Sequence, residues 1–181
     1  MAYVAATSTR GNPSLGDIFR SVGVLAGVIA AIALVFNLLN DPEPRLPDPV
    51  DYQPALAVAR EEYAYPVLAP EPVPDGWRPT SVDFAQEESG DRWKLGFLID
   101  EGDAFVGLEQ TDGEIQSYRD DRLADFAAEG ESTIDGVTWE RLLEDDDQPD
   151  RALVRVDGGA LTIVRGTVSY EELEDFVRLL R

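Results

Sequence analysis

The chain has 181 residues, 36 of them acidic against 15 basic, for a net charge of −21, and it contains neither His nor Cys. That composition excludes thiol catalysis, disulfides, His-based metal sites and Ser-His-Asp hydrolysis. Arg10, Arg20 and Asp17 give the first 20 residues a net +1, leaving −22 on residues 21–181, an acidity that argues against nucleic acid and anionic lipid headgroups as partners.

Residues 1–20 are polar, carry Gly11, Asn12 and Pro13, and read as a disordered cytoplasmic tail. An uncharged apolar run follows over residues 21–40, SVGVLAGVIAAIALVFNLLN. Twenty residues rising ~1.5 Å each cover ~30 Å, the hydrocarbon thickness of a bilayer. The following residues offer no A-x-A-like cleavage site, so the run reads as an uncleaved single-pass signal anchor. Arg10 and Arg20 before it and Arg45 and Arg60 after it nearly balance. Its closeness to the N-terminus favours a cytoplasmic N-terminus and an extracytoplasmic C-terminal domain in the cell membrane. Gly23, Gly27 and Ala31 recur every four residues on one helix face, a candidate packing face for a homodimer.

Residues 41–51 hold four prolines and read as an extended linker, a spacer of ~30 Å at ~3.1 Å per residue. Residues 52–181 then read as an α+β domain. A short helix is expected over 52–65, with Pro54 in its first turn and Leu56, Ala59 and Tyr63 on one face. Residues 66–79 form a Pro-rich loop with a turn at Pro74-Asp75-Gly76. Strands are expected at Thr80–Phe84, around Trp93, Leu95, Phe97 and Ile99, and at Ala104–Gln110, the last two joined as a hairpin through residues 100–103. Glu114–Ala128 reads as a helix with broken apolar spacing. Ser132–Ile134 and Val137–Leu143 flank Asp135-Gly136, and Ala152–Val156 and Ala160–Arg165 flank Asp157-Gly158-Gly159, both hairpin signatures. The last helix is the plainest: Ser169 as N-cap, Glu172 completing a capping box, and Leu173, Phe176, Val177 and Leu180 in one stripe. These elements imply an antiparallel sheet of about six or seven strands, with helices packed on one face and a C-terminal amphipathic helix.

Candidate sites are few. Glu144, Asp145, Asp146, Asp147 and Asp150 form the densest acidic cluster, whose oxygens suit a divalent cation although the spacing is not that of an EF-hand. Trp93 and Trp139 lie on apolar strand faces and read as core. Gly76, Trp77 and Arg78, in the Pro-rich loop, make the candidate interaction surface. Asp157-Gly158-Gly159 joins two strands and is no phosphate cradle, and G-x-S-x-G and P-loop patterns are absent.

The segments PVLAPEPVPDGWRPTS (66–81), WKLGFL (93–98), FVGLEQ (105–110), GVTWERL (136–142), RALVRVDGG (151–159) and EELEDFVRLLR (171–181), after a single N-terminal span, resemble the actinobacterial membrane-protein family known as domain of unknown function 4245. The resemblance covers nearly the whole chain. It implies a GC-rich Gram-positive host and a cell-membrane location, and it implies no activity, so no catalytic residue carries over. The expected function is a membrane-anchored extracytoplasmic binding or accessory domain of the cell envelope. It would be no enzyme, take no cofactor or metal, bind no nucleic acid and act on an envelope protein partner. A cell-envelope enzyme using Asp/Glu or a bound divalent cation, and a dimeric envelope sensor, are the alternatives.

Overall fold

The computed structural model describes residues 46–99 and 102–181. The tail (1–20), the apolar run (21–40) with Gly23, Gly27 and Ala31, and residues 41–45 of the linker lie outside the described residues. Among those described, no helix is long and apolar enough to cross a membrane.

Among the described residues, ten elements follow one another: α1 (Gln53–Glu62), β1 (Arg78–Glu87), β2 (Gly90–Ile99), β3 (Ala104–Thr111), α2 (Ile115–Arg122), β4 (Phe126–Ile134), β5 (Val137–Glu144), β6 (Arg151–Asp157), β7 (Ala160–Gly166) and α3 (Tyr170–Arg178). The seven strands form one antiparallel sheet in the order β1-β2-β3-β7-β6-β5-β4. Two meanders, β1–β3 and β4–β7, are therefore sewn together along β3 and β7, and α2 carries the chain from the centre of the sheet to its far edge.

Local chemistry accounts for the turns. Asp135 and Gly136 sit at φ 49° and 81°, and Gly158 and Gly159 at 57° and 84°, the left-handed conformations that tight hairpins demand. Ser169 Oγ accepts from the Glu172 amide at 3.3 Å, and the Glu172 carboxylate accepts from the Ser169 amide at 2.9 Å, so the capping box is present. The Pro74-Asp75-Gly76 turn also forms: the Trp77 amide donates to Pro74 O at 3.1 Å, with Gly76 at φ 82°.

Two expectations are corrected. The helix expected over Glu114–Ala128 stops at Arg122, and Phe126 already begins β4. Phe126-Ala-Ala has no strand signature of its own, but pairing with β5 claims its backbone, with a bulge at Ala128/Gly130 that lets the edge strand start early. Helices also lie on both faces of the sheet rather than one. On one face α1 and α3 bury Leu56, Ala59, Leu173, Phe176 and Val177 against Trp93, Leu95, Phe97, Leu108, Leu153 and Val164. On the other, Leu123, Ile115 and Tyr118, in and just after α2, pack with Phe126 on Leu142, Ala152, Val154, Leu161 and Ile163. The alternation of β6 and β7 forces this, because Leu153 and Val164 serve the first face while Val154 and Ile163 serve the second, and both need cover.

Leu46–Val50 runs back along the domain. The Val50 amide donates to Pro79 O at 2.8 Å and the Arg78 guanidinium to Pro47 O at 3.2 Å. At the other end of the chain, Ala69 and Arg181 exchange backbone hydrogen bonds of 2.9 and 3.1 Å, and Arg60 donates to Val67 O and to the Glu71 carboxylate.

The seam between the meanders is close. A Cβ placed on Gly166 would stand 2.1 Å from Phe105 O, in the backbone of the facing strand. Gly166→Ala is expected to cost about 1–3 kcal/mol, the range for an overpacked site, read as a lower urea midpoint with unchanged slope.

Candidate functional site

The Gly76, Trp77, Arg78 surface is partly turned inward. Gly76 is exposed at the turn tip, and the Arg78 guanidinium is engaged by Pro47 O. The half-buried Trp77 ring stacks on Phe176 at 5.1 Å with 6° between planes and leans on Phe97 at 6.1 Å. The loop thus folds its indole into the aromatic cluster of the core, leaving Asp75 and Gly76 facing solvent. Trp93 and Trp139 are buried at 0 % and 3 % exposure, and the Trp93 indole N–H donates to Leu68 O at 2.9 Å.

The acidic loop after β5 satisfies its own backbone. Glu144 Oε2 accepts from the Asp150 amide at 3.0 Å and Asp146 Oδ1 from the Gln148 amide at 3.1 Å. Among the described residues, no three of the acidic side chains converge as a cation site.

The densest chemistry lies instead under α2. The strand register puts Lys94 opposite Glu109 and Glu109 opposite Ile163, so one lysine and one glutamate face outward from the middle of a seven-stranded sheet. The α2 helix lies across them. It buries no residue fully and has a polar sequence, IQSYRDDR, so polar contacts do much of the fastening. Tyr118 Oη donates to Glu109 Oε2 at 2.6 Å, Arg122 Nε donates to the same oxygen at 2.9 Å, and Arg122 Nη2 pairs with Oε1. Lys94 Nζ stands 3.4 Å and Arg165 Nε 4.0 Å from the carboxylate. A further pair, Arg119 Nη2 to Glu140 Oε2 at 2.7 Å, fixes the middle of α2 to β5.

Glu109 is 7 % exposed at its side chain. Burial by itself would raise its pKa, but the hydrogen bonds from Arg122 and Tyr118 and the attraction of Arg122 and Lys94 outweigh it and hold the carboxyl below its ordinary value. The Tyr118 hydroxyl is pushed up by burial and by its bond to Glu109. The cluster is therefore a carboxylate kept charged and a phenol kept neutral.

Two clefts flank α2. One of about 150 Å³ opens toward the β1–β2 hairpin, lined by Gly90, Arg92, Thr111, Gly113, Ser117 and Tyr118 among others. Its walls meet backbone to backbone, since a Cβ on Gly113 would lie 2.0 Å from Ser89 O. Arg92 pairs with Glu87 at 2.8 Å and with Asp83 at 3.5 Å, and its Nε is buried without a partner. The other cleft, about 250 Å³, lies between Arg119, Phe126 and Leu142.

The family model described as Protein of unknown function (DUF4245) matches residues 10–180. The chain belongs to this family. The match takes in the whole DUF4245 sheet, every residue of the Glu109 cluster and the Gly76–Arg78 turn. Comparison of this DUF4245 chain with curated proteins and with solved structures returned no match.

Sequence reasoning missed the Glu109 cluster of this DUF4245 domain. Its one available signal was a Glu and a Lys at polar positions of two neighbouring strands, a pattern that equally describes a solvated sheet face.

Proposed function

We propose that this protein is a membrane-anchored, extracytoplasmic binding or accessory domain of the cell envelope, held by the apolar run at residues 21–40. The observation that carries the binding reading is the solvent-facing tip of the Pro74–Trp77 turn, Asp75 and Gly76, while the Glu109 carboxylate reads as structural. A general acid or base must exchange its proton near working pH, whereas this carboxylate accepts hydrogen bonds from Tyr118 and Arg122 and is held charged. Its role is to seat α2 on the sheet. The free tip of the Pro74–Trp77 turn, Asp75 and Gly76, beside edge strand β1, is the partner-facing surface in this reading.

The test is site-directed photo-cross-linking in intact cells, with the photoreactive residue in place of Asp75 and, as a control, of Glu171 on the outer side of α3. A discrete adduct from position 75 and none from 171 is expected, together with digestion of the domain by protease added to protoplasts. No adduct at position 75 overturns the partner surface, and protection from protease overturns the extracytoplasmic placement.

A further inference from the structure

On the α2 face of the sheet, the rows of side chains next to Glu109 have an unusual make-up. One row runs Lys94, Glu109, Ile163; the next runs Gly96, Gly107, Arg165. The two glycines put no side chain on this face, and the Phe105 ring lies over them, 3.1 Å from where a Gly107 Cβ would be and 3.4 Å from that of Gly96, with Ser81 Oγ nearer still to the latter. Lys94 stands two positions before Gly96, Arg165 faces Gly107, and Arg122 reaches Glu109 from α2, with side chains 28 %, 26 % and 34 % exposed.

Their charge is not used up. The hydrogen bonds Glu109 accepts come from Tyr118 and Arg122. Among the described residues, the Lys94 and Arg165 side chains donate no hydrogen bond and have no carboxylate other than Glu109 within 4.0 Å, while Lys94 Nζ lies 5.7 Å from the Tyr118 ring centroid. Asp150 is a second carboxylate within electrostatic reach of Arg165. Three cations thus meet Glu109, with spare N–H groups at a half-open surface, and the Asp150 carboxylate near Arg165 has Glu144 and Asp146 beside it. Around Glu109 itself the cations outnumber the carboxylate three to one, and fields from charges beyond ~8 Å are screened at physiological ionic strength.

We propose that Lys94, Arg122 and Arg165 form a binding site for a phosphate group on the sheet face beside α2. Arg165 supplies the guanidinium fork that matches an oxyanion, Lys94 a second point charge, and the free nitrogen of Arg122 a third donor. The phosphate belongs either to a lipid headgroup or to a free phosphate ester. The site does not depend on the envelope placement proposed above, so its failure leaves that reading intact.

The full chain in neutral-detergent micelles, at constant ionic strength, is titrated with sodium pyrophosphate in one arm and with phosphatidylglycerol doped into the micelles in the other. The readout is the ¹⁵N arginine Nε–Hε resonances. Saturable shifts of Arg165 and Arg122 are expected in at least one arm, and that arm identifies the source. Arg165→Gln is expected to weaken the response about tenfold, the loss of one charge-assisted contact. Lys94→Gln should do likewise and serves as the second variant should the first unfold. Arg155→Gln, whose guanidinium is paired with Asp157, should leave it unchanged. Shifts that never saturate in either arm, or an equal loss in Arg155→Gln, overturn the site.

Discussion

Glu109→Ala is expected to destabilise the domain by about 3–5 kcal/mol, the cost of removing one partner from a buried ion pair and leaving the other charges uncompensated. Domains of this size are stable by only about 5–15 kcal/mol, so the variant should melt far below the parent. The loss arises at two levels. Tyr118 and Arg122 lose the acceptor that seats α2, and Lys94, Arg122 and Arg165 are left facing one another across the sheet. The effect also has a pH signature. The folded pKa of Glu109 lies below its unfolded value, so its stabilising contribution is fully present above the unfolded value, ~4.3, and is lost as pH falls through the folded value. The gap between parent and Glu109→Ala in urea unfolding should therefore be constant from neutral pH down to ~5 and shrink below ~4. A gap unchanged at the most acid pH reached would show that the charge of Glu109 contributes nothing.

Trp77→Ala is expected to cost about 3 kcal/mol, at the low end for aromatic truncation because the ring is half-buried. The indole is one face of a cluster in which Phe97 and Phe176 meet at 5.5 Å and Tyr52 meets Phe97 at 6.1 Å. Removing it strips the cover from Phe176 and frees the Pro-rich loop from α3. A surface residue engaged only with a partner would change stability by no more than ~0.5 kcal/mol. Denaturation thus separates the two roles, and a near-zero shift would return Trp77 to the interaction surface.

What was legible in the sequence was local. Asp135-Gly136 and Asp157-Gly158-Gly159 announce their hairpins because the turn conformation is written in two or three adjacent residues. Ser169 and Glu172 announce α3 for the same reason. The boundary at Arg122 was not legible, since Phe126, Ala127 and Ala128 suit either a helix or a strand and only the pairing with Glu144, Leu143 and Leu142 decides. Trp77 stands in a Pro-Gly loop that reads as surface, and the stacking that half-buries it comes from Phe176, 99 positions away. The Glu109 cluster is assembled by register alone: Lys94, Glu109 and Arg165 come from three strands and Tyr118 and Arg122 from a helix, with no spacing in the chain that marks them as neighbours.

The hydrogen bonds between Ala69 and Arg181, and the close passage of Gly166 by Phe105, also constrain the order in which the fold is built. The hairpins join strands separated by a few residues and can form as soon as both strands have emerged. The central seam waits for a strand ending at Gly166, and the segment after α1 waits for Arg181. Long-range closure of this kind is slow relative to hairpin formation. During synthesis the nascent β1–β3 meander therefore stands with β3 unpaired on one side, presenting an open edge until β7 arrives, and this interval is when the chain is most exposed to mispairing with its neighbours.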